Sequence, residues 1–431
     1  MRILLVSHPA LAAEKGAAQI ALNLAAALRA RGHEAVAWSP EPLAADTRWW
    51  NLRRRQARAA ARFAAGSGPW DLVDTPAVTA SRELARCGPL VARSVQPELR
   101  YVWHGVRNDL LHRPSPRALL HAALAVPLER AIVGGWRRAR TILCLGSQEM
   151  AWMRRRYPSW RSKLGCYLCA PAAGEQSALA AVRRARRPLA AGGARNFLWI
   201  GRWAAHKGTR RLVRFIAERL AAAPEDRFTL AGCGAPADPA LAAEWLRSGQ
   251  VRLVPAFARA ELPALLAAHE VGLFTSEAEG WGLTLNEMLE AGLIVYATEA
   301  GAVADLRPFF PSSLRPFPPP LSIAAGKPED LDANGYYQTF SWPAIAAAYE
   351  RQAADAVMPE EGERPAAVDG RTPRTEARGW AGEDSEGGEA GQASGAVEVC
   401  KAGEAGRADT VAEADTAGEV GKAGEVGGGG R

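Results

Sequence analysis

The strongest constraint in this sequence is an alternation. Short apolar runs take turns with longer Ala-, Leu- and Arg-rich stretches of helical spacing. Ile3–Ser7 reads as a buried strand. Ala17–Arg31 reads as a helix with Ile20, Leu24, Ala27 and Leu28 on one face, ended by Gly32, and Glu34–Trp38 begins the next strand. Pro89–Arg93 and Thr141–Leu145 are strand-like; Arg117–Trp136 and Gln148–Arg156 are helical. This order predicts an α/β fold with parallel sheets covered on both faces by helices.

The pattern then breaks and restarts. Ala180–Ala194 combines charge, Pro188 and a Gly pair without an apolar period, as a linker does. Strands follow at Phe197–Gly201, Phe228–Ala231, Val251–Val254, Val271–Thr275 and Leu293–Ala297. Helices lie between them at Thr209–Ala221, Ala240–Leu246, Glu261–Ala268 and Thr284–Ala291. A proline-rich loop (Pro308–Pro320) and a late helix (Trp342–Ala356) close the body. The expected division is one doubly wound domain at 1–182, a linker at 183–194, a second domain at 195–340, a closing helix at 341–358 and a low-complexity tail at 359–431. The tail has 73 residues, 17 of them Gly, with Trp380 as its lone aromatic. Such a segment buries too little apolar surface to offset the entropy of ordering, so disorder is the expectation. The remaining 358 residues are enough for two cores.

Charge divides along the same line. The tail carries 16 acidic and 8 basic residues; the whole chain is +7, so the body carries about +15. A basic body favours anionic partners. Nucleic acid is not supported, because no zinc-finger, RNP-like or helix-turn-helix pattern accompanies the charge. No uncharged apolar run reaches the ~18–20 residues of a membrane span, and the apolar start of MRILLVSHPA is short for a signal peptide. Six cysteines do not make a disulfide framework. Cys166 and Cys169 lie on a strand-like segment, facing opposite sides, and read as inert thiols. A reducing, cytoplasmic setting is expected.

Ser276–Gly292 (SEAEGWGLTLNEMLEAG) carries the densest chemistry. It follows an apolar strand and enters a helix near Thr284. Gly280 and Gly282 flank Trp281 and free the backbone for conformations closed to residues with a Cβ. The unpaired N–H groups and dipole of the helix start favour an anion. In a doubly wound domain, ligands collect beyond the carboxyl ends of the strands. Glu279 and Glu287 bracket this start, about 12 Å apart if the span were all helix. That scale suits a ligand with hydroxyls at both ends and a diphosphate between. A structural reading competes: Thr284 and Glu287 spell a T-x-x-E capping box, and Glu277 and Glu279 are acids of the kind that favour a helix N-terminus.

Ile200–Gly208 (IGRWAAHKG) ends the first strand after the linker and should reach the same edge. Arg202 offers a planar fork and Lys207 a point charge. Together they could stabilise a departing nucleoside diphosphate without metal; the alternative is a solvated basic loop. His206 is read as a bystander. Gly232 and Gly234 in LAGCGAP, and Gly16 at the head of the first helix, are weaker signals. Asp330-Leu331-Asp332 has D-x-D form, but it sits in a Pro- and Gly-rich loop and lacks further placed oxygen ligands for a metal.

Taken together, these motifs resemble the retaining glycosyltransferases of family 4, which have the GT-B fold, over roughly residues 1–356. The resemblance rests on E-x7-E from Glu279 to Glu287 with its EGWGL core, on GR…KG at Gly201–Gly208, on the GHE-containing first helix–strand unit and on FSWPAIAAAYE, which looks like the family's closing helix. It implies two Rossmann-like domains facing a cleft, with the acceptor on the first and a nucleotide-sugar donor on the second. By position, Arg202 and Lys207 would bind the diphosphate and stabilise the leaving group, and Glu279 would contact the donor sugar. Gly280, Trp281, Gly282, Leu283 and Thr284 would present backbone to sugar and phosphate, with Gly201 and Gly232 in neighbouring donor-side turns. Glu287 would hold the ribose hydroxyls. Gly16, Arg93 and His104 are the acceptor-side candidates. The resemblance implies retention of configuration, no cofactor and no metal. The sequence departs from the family at several places: Lys15 and Ala17 flank Gly16, Arg93-Ser94-Val95-Gln96 stands where relatives often have R-S-H-G, EAGAVADL surrounds Gly301, and Cys169-Ala170-Pro171 replaces an Asn-Gly.

Arg48–Phe63 adds many Arg with Trp49, Trp50, Leu52 and Phe63 as apolar anchors. It is either a segment lying on an anionic membrane or a domain helix with a solvated basic face. The resulting expectation is a hexosyltransferase-type enzyme moving sugar to a saccharide or lipid-linked acceptor in cell-envelope polysaccharide or lipopolysaccharide synthesis, peripheral on the inner face of the plasma membrane. The alternatives are a non-catalytic nucleotide-sugar-binding or membrane-surface protein, or a GT-B sugar-nucleotide epimerase.

Overall fold

The computed structural model describes residues 1–8, 10–11, 16–40, 49–235, 237 and 241–357. The expected tail at 359–431 and Arg48 lie outside the described residues. Twelve strands form two parallel sheets. The first holds β1 (Arg2–Val6), β2 (Glu34–Trp38), β3 (Leu72–Thr75), β4 (Leu90–Arg93), β5 (Thr141–Leu145) and β6 (Leu164–Tyr167), in the order β2-β1-β3-β4-β5-β6. The second holds β7 (Asn196–Ile200), β8 (Arg227–Ala231), β9 (Val251–Val254), β10 (Val271–Phe274), β11 (Ile294–Ala297) and β12 (Leu314–Pro316), in the order β12-β11-β10-β7-β8-β9. Runs such as Ile3–Val6 are apolar throughout because both sheet faces are covered.

Helices of the first half are α1 (Gly16–Ala30), α2 (Trp49–Ser67), α3 (Glu98–His112), α4 (Pro116–Arg138), α5 (Gly146–Arg156) and α6 (Ala173–Ala185). Those of the second are α7 (Thr209–Ala222), α8 (Ala243–Arg247), α9 (Leu262–Ala267), α10 (Leu283–Glu290), α11 (Val303–Leu306), α12 (Tyr336–Thr339) and α13 (Trp342–Val357). In the second sheet the chain steps from β7 to β8 on one side and places β10 on the other. The strand order therefore reverses between β7 and β10, where an open α/β sheet leaves a crevice for a ligand.

Three readings need correction. Residues 180–185 are helical; Arg183 is buried and Arg186 half-buried, while Arg184 and Arg187 stay exposed. Arg183 Nη1 donates to Glu290 O at 2.9 Å, and Arg186 Nη1 and Nη2 donate to His269 O and Leu266 O at 2.6 and 2.8 Å. These bonds add donors to carbonyls near helix C-termini. The proline-rich loop contains edge strand β12, where Pro316 is tolerated because an edge has unpaired positions. Finally, α2 turns Ala60, Ala61 and Ala64 into the core, and Phe63 stacks on Trp38 at 4.7 Å between ring centroids. Phe63 is therefore a packing residue rather than a membrane anchor. Arg54, Arg55, Arg58 and Arg62 remain exposed, while the side chains of Trp49 and Trp50 lie outside the described residues. Cys166 is buried opposite Cys144 of β5, and Cys169 is buried just beyond β6; neither forms a disulfide.

Helix α13 lies against α1 and the strands β3 to β6 of the first sheet. Tyr349 Oη donates to Asp74 Oδ2 at 2.9 Å, and Gln352 Nε2 donates to Cys166 O at 2.9 Å. Glu350 accepts Arg31 at 2.5 Å and meets His33 Nε2 at 2.6 Å. One continuous apolar cluster runs from Ile3 and Leu24 through Trp281 and Leu289 to Tyr349.

Candidate active site

Two loops meet at the carboxyl edge of the second sheet. One follows β7 and contains Gly201, Arg202 and Lys207; the other follows β10 and contains Glu279 to Gly282. They are laced together: Glu277 N–H donates to His206 O at 2.8 Å, and Thr275 Oγ1 donates to Lys207 O at 2.7 Å. Gly208 holds φ +69°, and a Cβ there would sit 1.9 Å from Thr275 O. Only glycine permits this approach.

Lys207 Nζ donates to Glu279 Oε2 at 2.5 Å, and Ser276 Oγ donates to the same oxygen at 3.2 Å. The lysine and glutamate side chains are 8% and 5% exposed. Arg202, half-buried, belongs to the same turn, and Gly201 N–H donates to Ala231 O at 2.9 Å. Gly232, at φ +69°, ends β8 beside Gly201.

Helix α10 begins at Leu283 with Gly282 as its N-cap, at φ +88°. A Cβ on Gly282 would lie 2.7 Å from Phe274 Cζ. This rules out the capping-box reading: Thr284, half-buried, sits inside the first turn and is not the cap. Glu287 instead accepts Arg259 Nη2 on Oε1 at 2.8 Å. Its other oxygen, Oε2, is buried without a partner among the described residues, with the side chain 1% exposed. A buried carboxylate oxygen left open costs free energy unless a donor arrives. Burial alone would lower the Arg259 pKa, and the Glu287 and Glu175 charges override it and raise it. Arg259 was missed in the sequence because it lies between two short elements, with no pattern tying it to Glu287.

Trp281 turns its side chain away from the cleft. Its ring is fully buried, donates Nε1–H to Asn286 Oδ1 at 2.8 Å and packs beside Phe340 at 5.9 Å. It is a core residue, and only its backbone faces the turn with Gly280. Leu283 is likewise buried. Asp330 accepts the N–H groups of Asp332 and Ala333 at 3.1 Å each, so the D-x-D stretch caps its own turn.

The first domain approaches this edge directly. A Cβ on Gly280 would fall 2.8 Å from Leu145 Cδ2 and 3.2 Å from Val95 O. His104 Nε2 meets Glu277 Oε2 at 3.1 Å, and Tyr101 Oη meets His206 Nδ1 at 3.1 Å. His104 thus stands on the cleft wall and His206 is part of the interdomain contact. Asp305 of α11 accepts the Ser147 N–H at the start of α5 at 3.1 Å, and burial pushes its pKa to about 6.

Arg93 differs from expectation. It is 1% exposed and donates Nε to Asp74 Oδ1 at 2.6 Å. Burial alone would lower its pKa, and the Asp74 charge raises it instead. This is a buried ion pair under the cleft, not a surface ligand. Gly16 is the first residue of α1, and the loop before it, 12–15, lies outside the described residues. A group that the sequence did not single out sits at the same edge of the first sheet. His8 is 5% exposed, both of its ring nitrogens lack partners among the described residues, and Gln56 Nε2 donates to its carbonyl at 3.3 Å. Burial, then Arg53 and Arg93, hold its pKa well below 6.5, so the ring is neutral. Glu98, with Oε2 unpartnered among the described residues, is pushed to about 8 by burial and then by Glu149.

Residues 194–308 match the family model described as "Glycosyl transferases group 1". Comparison with curated proteins gives no match. Among solved structures, sucrose-phosphate synthase from Thermosynechococcus elongatus superposes with TM-score 0.52 at 17% identity, over 83% of this chain and 93% of that one. The catalytic domain of starch synthase IV from Arabidopsis thaliana, solved with ADP and acarbose, gives TM-score 0.52 at 13% identity, over 82% of this chain and 99% of that one. The fold is GT-B. The match to the group 1 model falls in its second Rossmann-like half, and the Lys207–Glu279 and Arg259–Glu287 pairs lie within the matched residues.

Proposed function

We propose that the protein is a nucleotide-sugar-dependent glycosyltransferase that transfers a hexosyl group with retention and without metal. Its acceptor is a saccharide or lipid-linked saccharide of the cell envelope. The observation that carries this reading is the unpartnered Oε2 of Glu287, buried one helix turn from the αL Gly282 cap. A ribose hydroxyl is a donor of the right kind for that oxygen. The α10 N-terminus and Arg202 then take the diphosphate. Lys207 moves from Glu279 to the leaving phosphate as charge builds there, which frees the carboxylate to accept hydroxyls of the donor sugar. His8, just beyond β1 at the same edge of the first sheet, is held neutral, and its free ring nitrogen would accept a hydrogen bond from an acceptor hydroxyl.

Labelled UDP-, GDP-, ADP- and TDP-sugars test this. Transfer to added saccharides, or slow hydrolysis of one donor, is the expected result. Tight binding with neither transfer nor hydrolysis would instead make the chain a non-catalytic nucleotide-sugar-binding protein.

A further inference from the structure

Of the eight large apolar residues that stand exposed among the described ones, six belong to the hairpin of α3 and α4: Trp103, Leu110, Leu111, Leu119, Leu120 and Val126. Leu111 and Leu119, on either side of the tip, are 61% and 65% exposed. The exposure does not come from a loose element. Ser115 Oγ accepts the Ala118 N–H and caps α4 behind Pro116. His121 Nδ1 meets Asp109 Oδ2 at 2.7 Å, and Trp103 Nε1 donates to Glu129 Oε2 at 2.9 Å, so the two helices are tied together. The far end of α4 is clamped to the body: Ile132 and Trp136 are buried, and a Cβ on Gly135 would fall 1.9 Å from Ala77 O. A rigid hairpin with a buried base thus projects a leucine-rich tip. Exposed large apolar side chains gathered on one hairpin in this way mark an interaction site.

The charges around the tip point to its partner. Residues 98–138 contain seven Arg against three acidic residues. Arg107, Arg113 and Arg117 are exposed beside the exposed leucines. A two-fold contact between copies through this tip would press the arginine collars together, since such an interface uses the same patch twice. We propose that the α3–α4 tip docks on an anionic lipid bilayer, with its leucines in the interfacial region and its arginines among the headgroups. The helix α4 is long and apolar enough to cross a bilayer by length and composition, but its packed C-terminal half keeps it out of a spanning role. The docking face adjoins the cleft, because Tyr101 and His104 of α3 touch His206 and Glu277. The inference stands apart from the transferase reading, since lipid binding needs no turnover.

Co-sedimentation of the full chain with vesicles of equimolar phosphatidylcholine and phosphatidylglycerol tests it, with pure phosphatidylcholine vesicles as the comparison. The full chain is expected to bind the mixed vesicles, at least about tenfold more weakly without the anionic lipid or at high salt. Leu111→Glu with Leu119→Glu should lower binding at least about tenfold while leaving the melting temperature unchanged, as both side chains are exposed. Failure of the wild-type chain to bind mixed vesicles, or wild-type binding by the double variant, overturns the proposal. So does a dimer that the same substitutions dissociate in the absence of lipid binding. If Arg54→Glu with Arg58→Glu abolishes binding while the tip variant binds normally, α2 is the docking face and the proposal fails.

Discussion

Lys207 and Glu279 form a salt bridge of 2.5 Å in surroundings that leave both side chains under a tenth exposed. The lysine is delivered by the turn after β7 and the acid by the turn after β10, so the pair spans the point where the strand order reverses. It ties the proposed phosphate-binding cation to the proposed sugar-binding acid.

Removing one partner strands the other's charge in a buried site, which costs about 3–5 kcal/mol. Lys207→Ala should therefore lower the melting temperature clearly, and Lys207→Ala with Glu279→Gln should recover much of the loss. Neither variant should turn over donor. Thermal denaturation checks the first statement; an unchanged melting temperature for Lys207→Ala would contradict it.

Arg259 bridges Glu175 and Glu287, with N–O distances of 2.9 and 2.8 Å. If it orients Glu287 for a ribose, Arg259→Ala should weaken donor binding by about 1.4 kcal/mol or more, a factor of ten. Titration calorimetry with the best donor reads this directly. Unaltered affinity would reduce the arginine to a surface bridge.

Burial raises several acids: Glu290 to about 7, Glu149 to about 7 and Glu98 to about 8. For each, the folded state binds a proton more tightly than the unfolded state. The stabilisation is present in full below the ordinary carboxylate range, near about pH 4, and is lost as pH rises through the folded pKa values. Melting temperature should thus fall between about pH 5 and pH 8. Glu290 accepts Tyr336 Oη at 2.6 Å, Asn286 Nδ2 at 3.1 Å and Gln176 Nε2 at 3.3 Å, all on Oε1. Glu290→Gln keeps that acceptor and should flatten the slope; a slope as steep as wild type would contradict the assignment.

The tail's composition predicts little contribution to the body. Truncation after Met358 should leave melting temperature and donor turnover nearly unchanged. A large loss in either would show that residues 359–431 support the fold or the site.

Much of this architecture could be read from the sequence because buried parallel strands are written as apolar runs, and β7, β8, β10 and β11 all fall on such runs. The Glu279–Glu287 segment was legible for the same reason: acids and glycines at the end of a buried strand have few structural uses. Other features depend on contacts that no local pattern records. Arg183 and Arg186 resemble linker charge until the carbonyls they cap come into view. Arg93 looks like a cleft residue, yet Asp74, nineteen positions earlier on the neighbouring strand, holds it in the core. Arg259 meets Glu287 only through the fold. The inward turn of the Trp281 ring against Asn286 is likewise set by the fold, with no local pattern to announce it.

The most direct test of the central claim is a thermal-shift series with UDP-, GDP-, ADP- and TDP-sugars on the wild-type chain and on Arg202→Ala and Glu287→Ala. One donor at a hundred times its dissociation constant should stabilise the wild-type protein by about 2.7 kcal/mol, and both variants should lose that shift. No shift with any donor, or shifts that survive in both variants, would contradict the account.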